Sequence, residues 1–272
     1  NNRILVVTQY FYPENFKSND IAFELAKKGF IVDALVSIPN YPGGKYYKHY
    51  GIFKNRIQKI NGVKIYRAFQ TPRGKNSNVF SLALNYLSYA FFASLLAFFL
   101  TIFKKYDKII VYENSPITQA FPALVVNFLR HTPFYIWVQD LWPDAMKSGG
   151  GIKNQYILNF IDRFVKLVYN KSTKIMISSK GFYDLIKPKG NYEKKMVYLP
   201  NWSDDVLLME KKQIPKLPEG YIIMMTGNLG TAQRLDVIMK AVIDLKDLEE
   251  IKWIFVGDGS RKQWLDNFIK EN

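Results

Sequence analysis

Short runs of consecutive apolar residues alternate with segments of helical period along most of this chain. The runs are RILVVT (3–8), IVDALV (31–36), VKIYRA (63–68), KIIVY (108–112), FYIWV (134–138), KIMIS (174–178) and MVYL (196–199). Their apolar positions are successive rather than alternating, the pattern of strands covered on both faces. Between them, Ser18 or Asn19 is placed to cap a helix that runs through Lys28 and stops at Gly29, and Ser115-Pro116 to open another through Leu129. Two-sided strands joined by helical crossovers predict a parallel α/β sheet.

The pattern breaks at 200–220, PNWSDDVLLMEKKQIPKLPEG, which is rich in charge and proline. It resumes with YIIMMT (221–226), a helix over about 233–246, WIFV (253–256) and a last helix. The 272 residues therefore divide into a first domain at 1–199, a link at 200–220 and a second domain at 221–272. Two strands and two helices are too few to bury both faces of a sheet, so the second unit either packs on something else or stops mid-domain.

Asn76 to Phe103 is 28 residues without a charge, long enough to span a bilayer. A single crossing would put the runs at 3–8 and 108–112 on opposite sides of the membrane, although both read as strands of one sheet. The segment also carries Asn78, Ser81, Asn85, Ser88 and Ser94 and is flanked by Arg73, Lys75, Lys104 and Lys105. It reads as a helix of about 40 Å over about 77–104, either a long core helix or one lying in an anionic membrane interface. Phe91, Phe92, Leu95, Leu96, Phe98, Phe99, Leu100, Ile102 and Phe103 exceed what one buried face takes up, which favours the interface.

Charge sharpens this picture. Residues 1–199 hold 28 Lys and Arg against 11 Asp and Glu, while the remainder carries a net −2 of the total +15. No acidic residue lies between Asp33 and Asp107. Such a tract attracts nucleic acid, an anionic membrane or a phosphorylated substrate, or is simply a solvated basic surface. With no cysteine and two histidines, disulfide scaffolds, zinc ribbons and Cys-His nucleophile pairs are excluded, and the cytoplasm is the default compartment.

Four segments can carry chemistry. After YIIMMT, Gly227-Asn228-Leu229-Gly230 leads through Thr231 and Ala232 to Gln233 and Arg234 at a helix mouth; such a turn offers backbone N–H groups to a phosphate, or is only a tight turn. No GxxxxGK[ST] or full dinucleotide fingerprint is present. After WIFV comes Gly257-Asp258-Gly259 at the same sheet edge, and the two turns together suggest a nucleotide, unless Asp258 merely caps a helix. After FYIWV, Gln139-Asp140-Leu141-Trp142-Pro143-Asp144 sets Asp140 where it can orient or deprotonate a sugar hydroxyl, with Trp142 to stack on a pyranose; a helix-capping Asp140 is the alternative. The loop 39–51, with Tyr41, Lys45 and His49, suits an acceptor bearing sugar and phosphate, or is an unliganded surface loop.

In order, RILVVTQYFYPE, SIPNYPGGKYY, WVQDLWPD, YLPNWSD, TGNLGTAQRLDVIMKA and WIFVGDGSRKQWL resemble the family-4 retaining glycosyltransferases of the two-Rossmann GT-B fold. The chain is most similar to the bacterial branch of L-fucosamine and colanic-acid-type transferases of cell-surface polysaccharide synthesis, including O-antigen and capsule. The resemblance implies a nucleotide-sugar donor, commonly UDP-linked, on the second domain, at Gly227, Asn228, Leu229, Gly230, Gln233, Arg234, Gly257, Asp258 and Gly259. It implies an undecaprenyl-diphosphate-linked sugar acceptor at the first domain, near Tyr41, Lys45, His49 and Trp142, with Asp140 catalytic. Asn228 and Gln233 stand where the wider family has Arg and Lys, Gln139 where many relatives have His, and the family's paired glutamates fall beyond Asn272, so the second domain reads as truncated.

These readings converge on a metal-independent retaining hexosyl- or hexosaminyltransferase, without cofactor, peripheral on the inner face of the cytoplasmic membrane. No Asp-x-Asp triplet is present to hold a divalent ion. The alternative is a non-catalytic membrane-associated scaffold of the same fold. A nucleic-acid binder fits poorly, because the basic residues accompany Tyr/Pro/Gly loops and an apolar helix rather than a recognition helix.

Overall fold

The computed structural model describes residues 2–74, 79–146, 154–203, 215–230 and 233–271. The expected helix start at 77–78, Lys75, most of the 200–220 link, Thr231 and Ala232 lie outside them. The chain forms two compact units, Asn1–Trp202 and Ser203–Asn272.

The first unit is built on an eight-stranded sheet: β1 (Arg3–Val7), β2 (Ile31–Ser37), β3 (Ile57–Ile60), β4 (Val63–Ala68), β5 (Lys108–Glu113), β6 (Phe134–Val138), β7 (Lys174–Ile177) and β8 (Met196–Tyr198). Their order is β3-β4-β2-β1-β5-β6-β7-β8, with β3 antiparallel to β4 and every other pairing parallel. All seven apolar runs form strands. The extra one, β3, is the half-exposed edge strand IQKI, whose alternating polarity hides it from a search for two-sided strands. Strand order reverses between β1 and β5, so the crevice at their carboxyl ends is the topological switch point.

Helix α1 (Lys17–Lys27) covers one face, packing on Ile4, Val6, Val32 and Ala34. Helices α2 (Val79–Phe103), α3 (Phe121–Arg130) and α4 (Gln155–Lys171) cover the other, over Leu5, Val7, Val111 and Ile136, and a short α5 (Phe182–Ile186) follows β7. The expected caps of α1 are corrected: the helix starts at Lys17 with Phe16 as its cap residue. Ser18 and Asn19 are buried in its first turn, where they bind the Tyr10 carbonyl, the Tyr12 amide and the Glu14 carbonyl instead. After Ser115-Pro116 the chain makes a 3-10 turn, Ile117–Ala120, before α3.

Helix α2 docks through a narrow strip. Asn85, Tyr89, Ala93 and Ala97, spaced four apart, are buried with Ala90, Leu100 and Thr101. The alanines let the helix lie close to the sheet, and the Tyr89 hydroxyl donates to the Thr8 carbonyl. Phe80, Leu87, Phe91, Leu95, Phe98, Phe99, Ile102 and Phe103 remain exposed. As the crossover from β4 to β5, both in one sheet, α2 runs along the sheet rather than away from it.

At the opposite edge of the sheet, Asp33 is a buried hub. Its carboxylate takes Lys104 Nζ at 2.6 Å, the Tyr106 hydroxyl at 3.0 Å and Arg3 Nη1 at 3.3 Å, tying β2 to the end of α2.

In the second unit, β9 (Tyr221–Asn228) and β10 (Ile251–Asp258) pair in parallel, with α6 (Leu235–Asp244) and α7 (Lys262–Glu271) on a small core of Leu229, Leu235, Met239 and Leu265. A side chain at Gly257 would meet the Gly227 carbonyl oxygen at 1.8 Å, so glycine there lets the two strand ends close up. Ile223, Met224 and Val256 stay exposed.

Removing the Asp33 carboxylate strands a mostly buried lysine. Asp33→Ala is expected to lower unfolding free energy by about 3 kcal/mol, measured by urea denaturation; a loss under about 1 kcal/mol would show that the cluster behaves as a surface pair.

Candidate functional site

The carboxyl edge at the switch point is assembled by buried polar side chains. Gln9, just past β1, donates its amide hydrogens to Gln70 Oε1 and Asn85 Oδ1, both at 2.9 Å, joining the loop after β4 to α2. Its backbone N–H goes to Gln119 Oε1 at 2.9 Å. Glu14 crosslinks the loops after β1 and β2: Oε1 accepts from the amides of Asn40 at 2.8 Å and Tyr41 at 2.7 Å, Oε2 from that of Phe11 at 3.3 Å. Burial outweighs these three bonds and pushes the Glu14 carboxyl up to about 7.

Asp140 follows β6, half-buried, with Ser115, Tyr86, Tyr112 and Glu113 around it. Burial raises its pKa, and a hydrogen bond from Ser115 opposes the rise. Beneath it Glu113, at the end of β5, is fully buried. The Ser115 amide points toward Glu113 without closing a hydrogen bond of normal geometry, and neither carboxylate oxygen has a partner. Desolvation first, and the neighbouring Asp140 second, hold Glu113 well above the usual carboxylate range. Asp140 thus sits in a half-dry crevice suited to a base or hydrogen-bond acceptor for a hydroxyl.

Trp142 corrects its expected role. It is 9% exposed, packed into the core, and its indole N–H donates to Ser115 Oγ at 3.0 Å. It braces the loop carrying Asp140 and offers no open face for a sugar. Tyr41 lies on the same edge, packed on Tyr10 and Phe16. Lys45 and His49 are exposed on the loop after β2, and among the described residues no hydrogen bond, ion pair or ring contact joins either to Asp140. Gln139 turns Oε1 to Asn201 Nδ2 at 2.7 Å, while its buried Nε2 has no partner.

In the second unit the glycine-rich turn is largely self-satisfied. The Gly230 amide donates to Gln233 Oε1 at 3.2 Å and that of Leu229 to the Asp258 carbonyl at 2.8 Å. Asp258 caps its own turn by accepting from the Gly259 amide, and a side chain at Gly259 would collide with the Leu229 carbonyl. Gly227, Gly257 and Asn228 are the paired ends of β9 and β10. Arg234, expected as the cation near the donor diphosphate, is held by Asp236 at two points, 3.1 Å to Oδ1 and 2.9 Å to Oδ2. Asp236 also meets the first amides of α6, the helix end expected to face a phosphate. Sequence spacing showed the cation but not the carboxylate two residues on that engages it.

No family model matches the chain, and no curated protein matches it in sequence. Solved structures do match. The apo lipopolysaccharide outer core galactosyltransferase WaaB superposes with a TM-score of 0.52 at 12% identity, over 99% of this chain and 64% of that one. An α,α-trehalose-phosphate synthase (UDP-forming) from Burkholderia vietnamiensis superposes with a TM-score of 0.56 at 13% identity, over 99% of this chain and 67% of that one. The fold is of the GT-B glycosyltransferase type. At such identity the likeness shows the fold alone, and the chain spans about two thirds of the length of these relatives.

Glu14 sets a pH dependence. Its folded pKa is raised from 4.5 to about 7, so the stability it contributes is fully present below pH 4.5 and is lost as pH rises through 7, by up to ~3 kcal/mol. Urea unfolding at pH 5 and pH 8 is expected to show this fall in wild type and a flatter profile in Glu14→Gln; equal slopes would mean that Glu14 is not the group responsible.

Proposed function

We propose that this chain is the acceptor unit and part of the donor unit of a retaining glycosyltransferase. It moves a sugar from a nucleotide donor, commonly UDP-linked, to a lipid-linked sugar in cell-surface polysaccharide synthesis. The observation that carries the reading is Asp140: a half-buried carboxyl with a raised pKa, beside the switch point of a GT-B-type sheet. The superposing galactosyltransferase and UDP-forming synthase agree with this chemistry in their names.

In this reading Asp140 accepts a hydrogen bond from the acceptor hydroxyl and orients it. The departing nucleoside diphosphate is received by the turn at 227–230 with Arg234. Because Asp236 holds Arg234, the donor must displace that carboxylate. Retention with same-face attack follows from the family resemblance.

Attachment to an anionic membrane at the cytoplasmic face is the second part of the proposal. The apolar outer face of α2 supports it, as does the adjoining apolar groove of about 420 Å³ between α2 and α3, lined by Phe98, Phe121, Leu124, Val125, Phe128 and Leu129. That groove is about 18 Å along α2 from Tyr86 and so distant from Asp140.

A second reading, a non-catalytic scaffold, is favoured by one observation: the donor turn's amides and Arg234 are already satisfied internally. Titration of UDP, with GDP as control, into the full-length protein separates the two. The transferase reading expects selective UDP binding, weakened about tenfold by Arg234→Ala and tightened about two- to fivefold by Asp236→Asn. It also expects Asp140→Asn to lower turnover by about 10² while sparing UDP affinity. No binding of either nucleotide favours the scaffold.

For the membrane, replacing Phe91, Phe98 and Phe99 together by serine is expected to lower partition onto phosphatidylglycerol vesicles by at least about tenfold. Unchanged partition removes α2 from the interface.

A further inference from the structure

Arg73 occupies an unusual place just after β4. Its guanidinium lies 5.3 Å from the ring centre of Tyr41 and 5.8 Å from those of Tyr10 and Tyr86, within cation–π range of all three. Nη2 donates to the Tyr86 hydroxyl at 3.1 Å, and the backbone N–H goes to Asn40 Oδ1 at 3.4 Å. The Nε–H is buried with no partner, and Arg73 makes no ion pair among the described residues. Of the two carboxylates nearby, Glu14 spends both oxygens on backbone amides and Asp140 is bonded to Ser115. Tyr10 is 3% exposed, and its hydroxyl faces that of Tyr86 without closing a hydrogen bond of normal geometry.

The guanidinium carries its positive charge over five N–H groups set in one plane. Rings balance part of it, but a ring face does not satisfy an N–H. Nε and Nη form a planar fork that matches two oxygens of an anion, and a tyrosine hydroxyl supplies a donor from outside that plane. Donors in and out of one plane fit a tetrahedral oxyanion better than a planar carboxylate. Tyr86 links the cage to Asp140, whose charge it feels.

We propose that Arg73, held by Tyr10, Tyr41 and Tyr86, is a phosphate-binding subsite that takes the phosphate or diphosphate group of the acceptor. Asp140 then faces the sugar to which that group is attached. The assignment to the acceptor rests on the transferase reading; the anion site itself does not.

Calorimetric titration of inorganic pyrophosphate into the full-length protein, with saturating UDP throughout and acetate as a control, tests it. Pyrophosphate is expected to bind, Arg73→Gln to weaken it at least about tenfold and Arg73→Lys several-fold, because a point charge loses the fork. Tyr10→Phe, which leaves the arginine in place, is expected to weaken it about threefold, and it keeps the test decisive if Arg73→Gln fails to fold. UDP affinity should be equal in all variants. Tighter binding of geranyl diphosphate than of pyrophosphate supports a lipid-linked source, and equal binding supports the site with a soluble anion as its ligand. Superimposable pyrophosphate isotherms for wild type and Arg73→Gln, no pyrophosphate binding at all, or acetate binding as tightly, would overturn the site. If UDP fails to bind while the Arg73 difference persists, the transferase reading falls and the anion site stands.

Discussion

One buried carboxylate, that of Glu14, closes the carboxyl edge of the first unit. Three backbone amides from two loops converge on it, and without it each would be an unsatisfied donor away from water. Asn19 and Arg67 reinforce it from either side, Asn19 by donating to the Glu14 carbonyl and Arg67 by donating to the Tyr12 carbonyl. The loops so fixed carry Tyr10, Asn40 and Tyr41, and Asn40 in turn holds the backbone of Arg73. The strain of this arrangement is electrostatic: the acceptor that the amides need is a group that burial would keep protonated.

Continuous apolar strands were legible in the sequence because a two-sided parallel sheet writes itself as unbroken β-branched runs. The edge strand β3 was not, since one exposed face breaks such a run. Local signals misled where a side chain had a long-range alternative. Ser18 and Asn19 look like helix caps, yet the loop after β1 folds over them and takes their hydrogen bonds. Trp142 beside a carboxylate looks like a sugar platform, but Ser115, 27 residues earlier, accepts its N–H and draws the ring inward.

Asp140 was legible because it follows a strand run directly, and strand ends mark the ligand edge of an α/β sheet. Glu14, Glu113 and Arg73 were not, for a common reason. Each owes its character to groups distant in the chain: Glu14 to amides 26 and 27 residues away, Glu113 to the neighbouring strand, Arg73 to rings on three separate segments. A charge in the sequence is a formal number, and only the fold decides whether it is paired, neutralised or left open.

Helix α2 is where these demands meet. Its buried strip is polar toward the carboxyl edge, where Asn85 binds Gln9 and Ser88 binds Thr71, and small further along, where Ala93 and Ala97 lie on the sheet. A helix that docks by so narrow a strip leaves most of its circumference apolar and uncovered, which a surface in water alone does not favour. Tyr86, one residue from Asn85, reaches from this helix to Arg73 and faces Asp140. The same rigid element therefore carries both the apolar face and a wall of the polar crevice. In the proposed reading, that shared helix holds the crevice at a fixed height above the membrane from which a lipid-linked acceptor is presented.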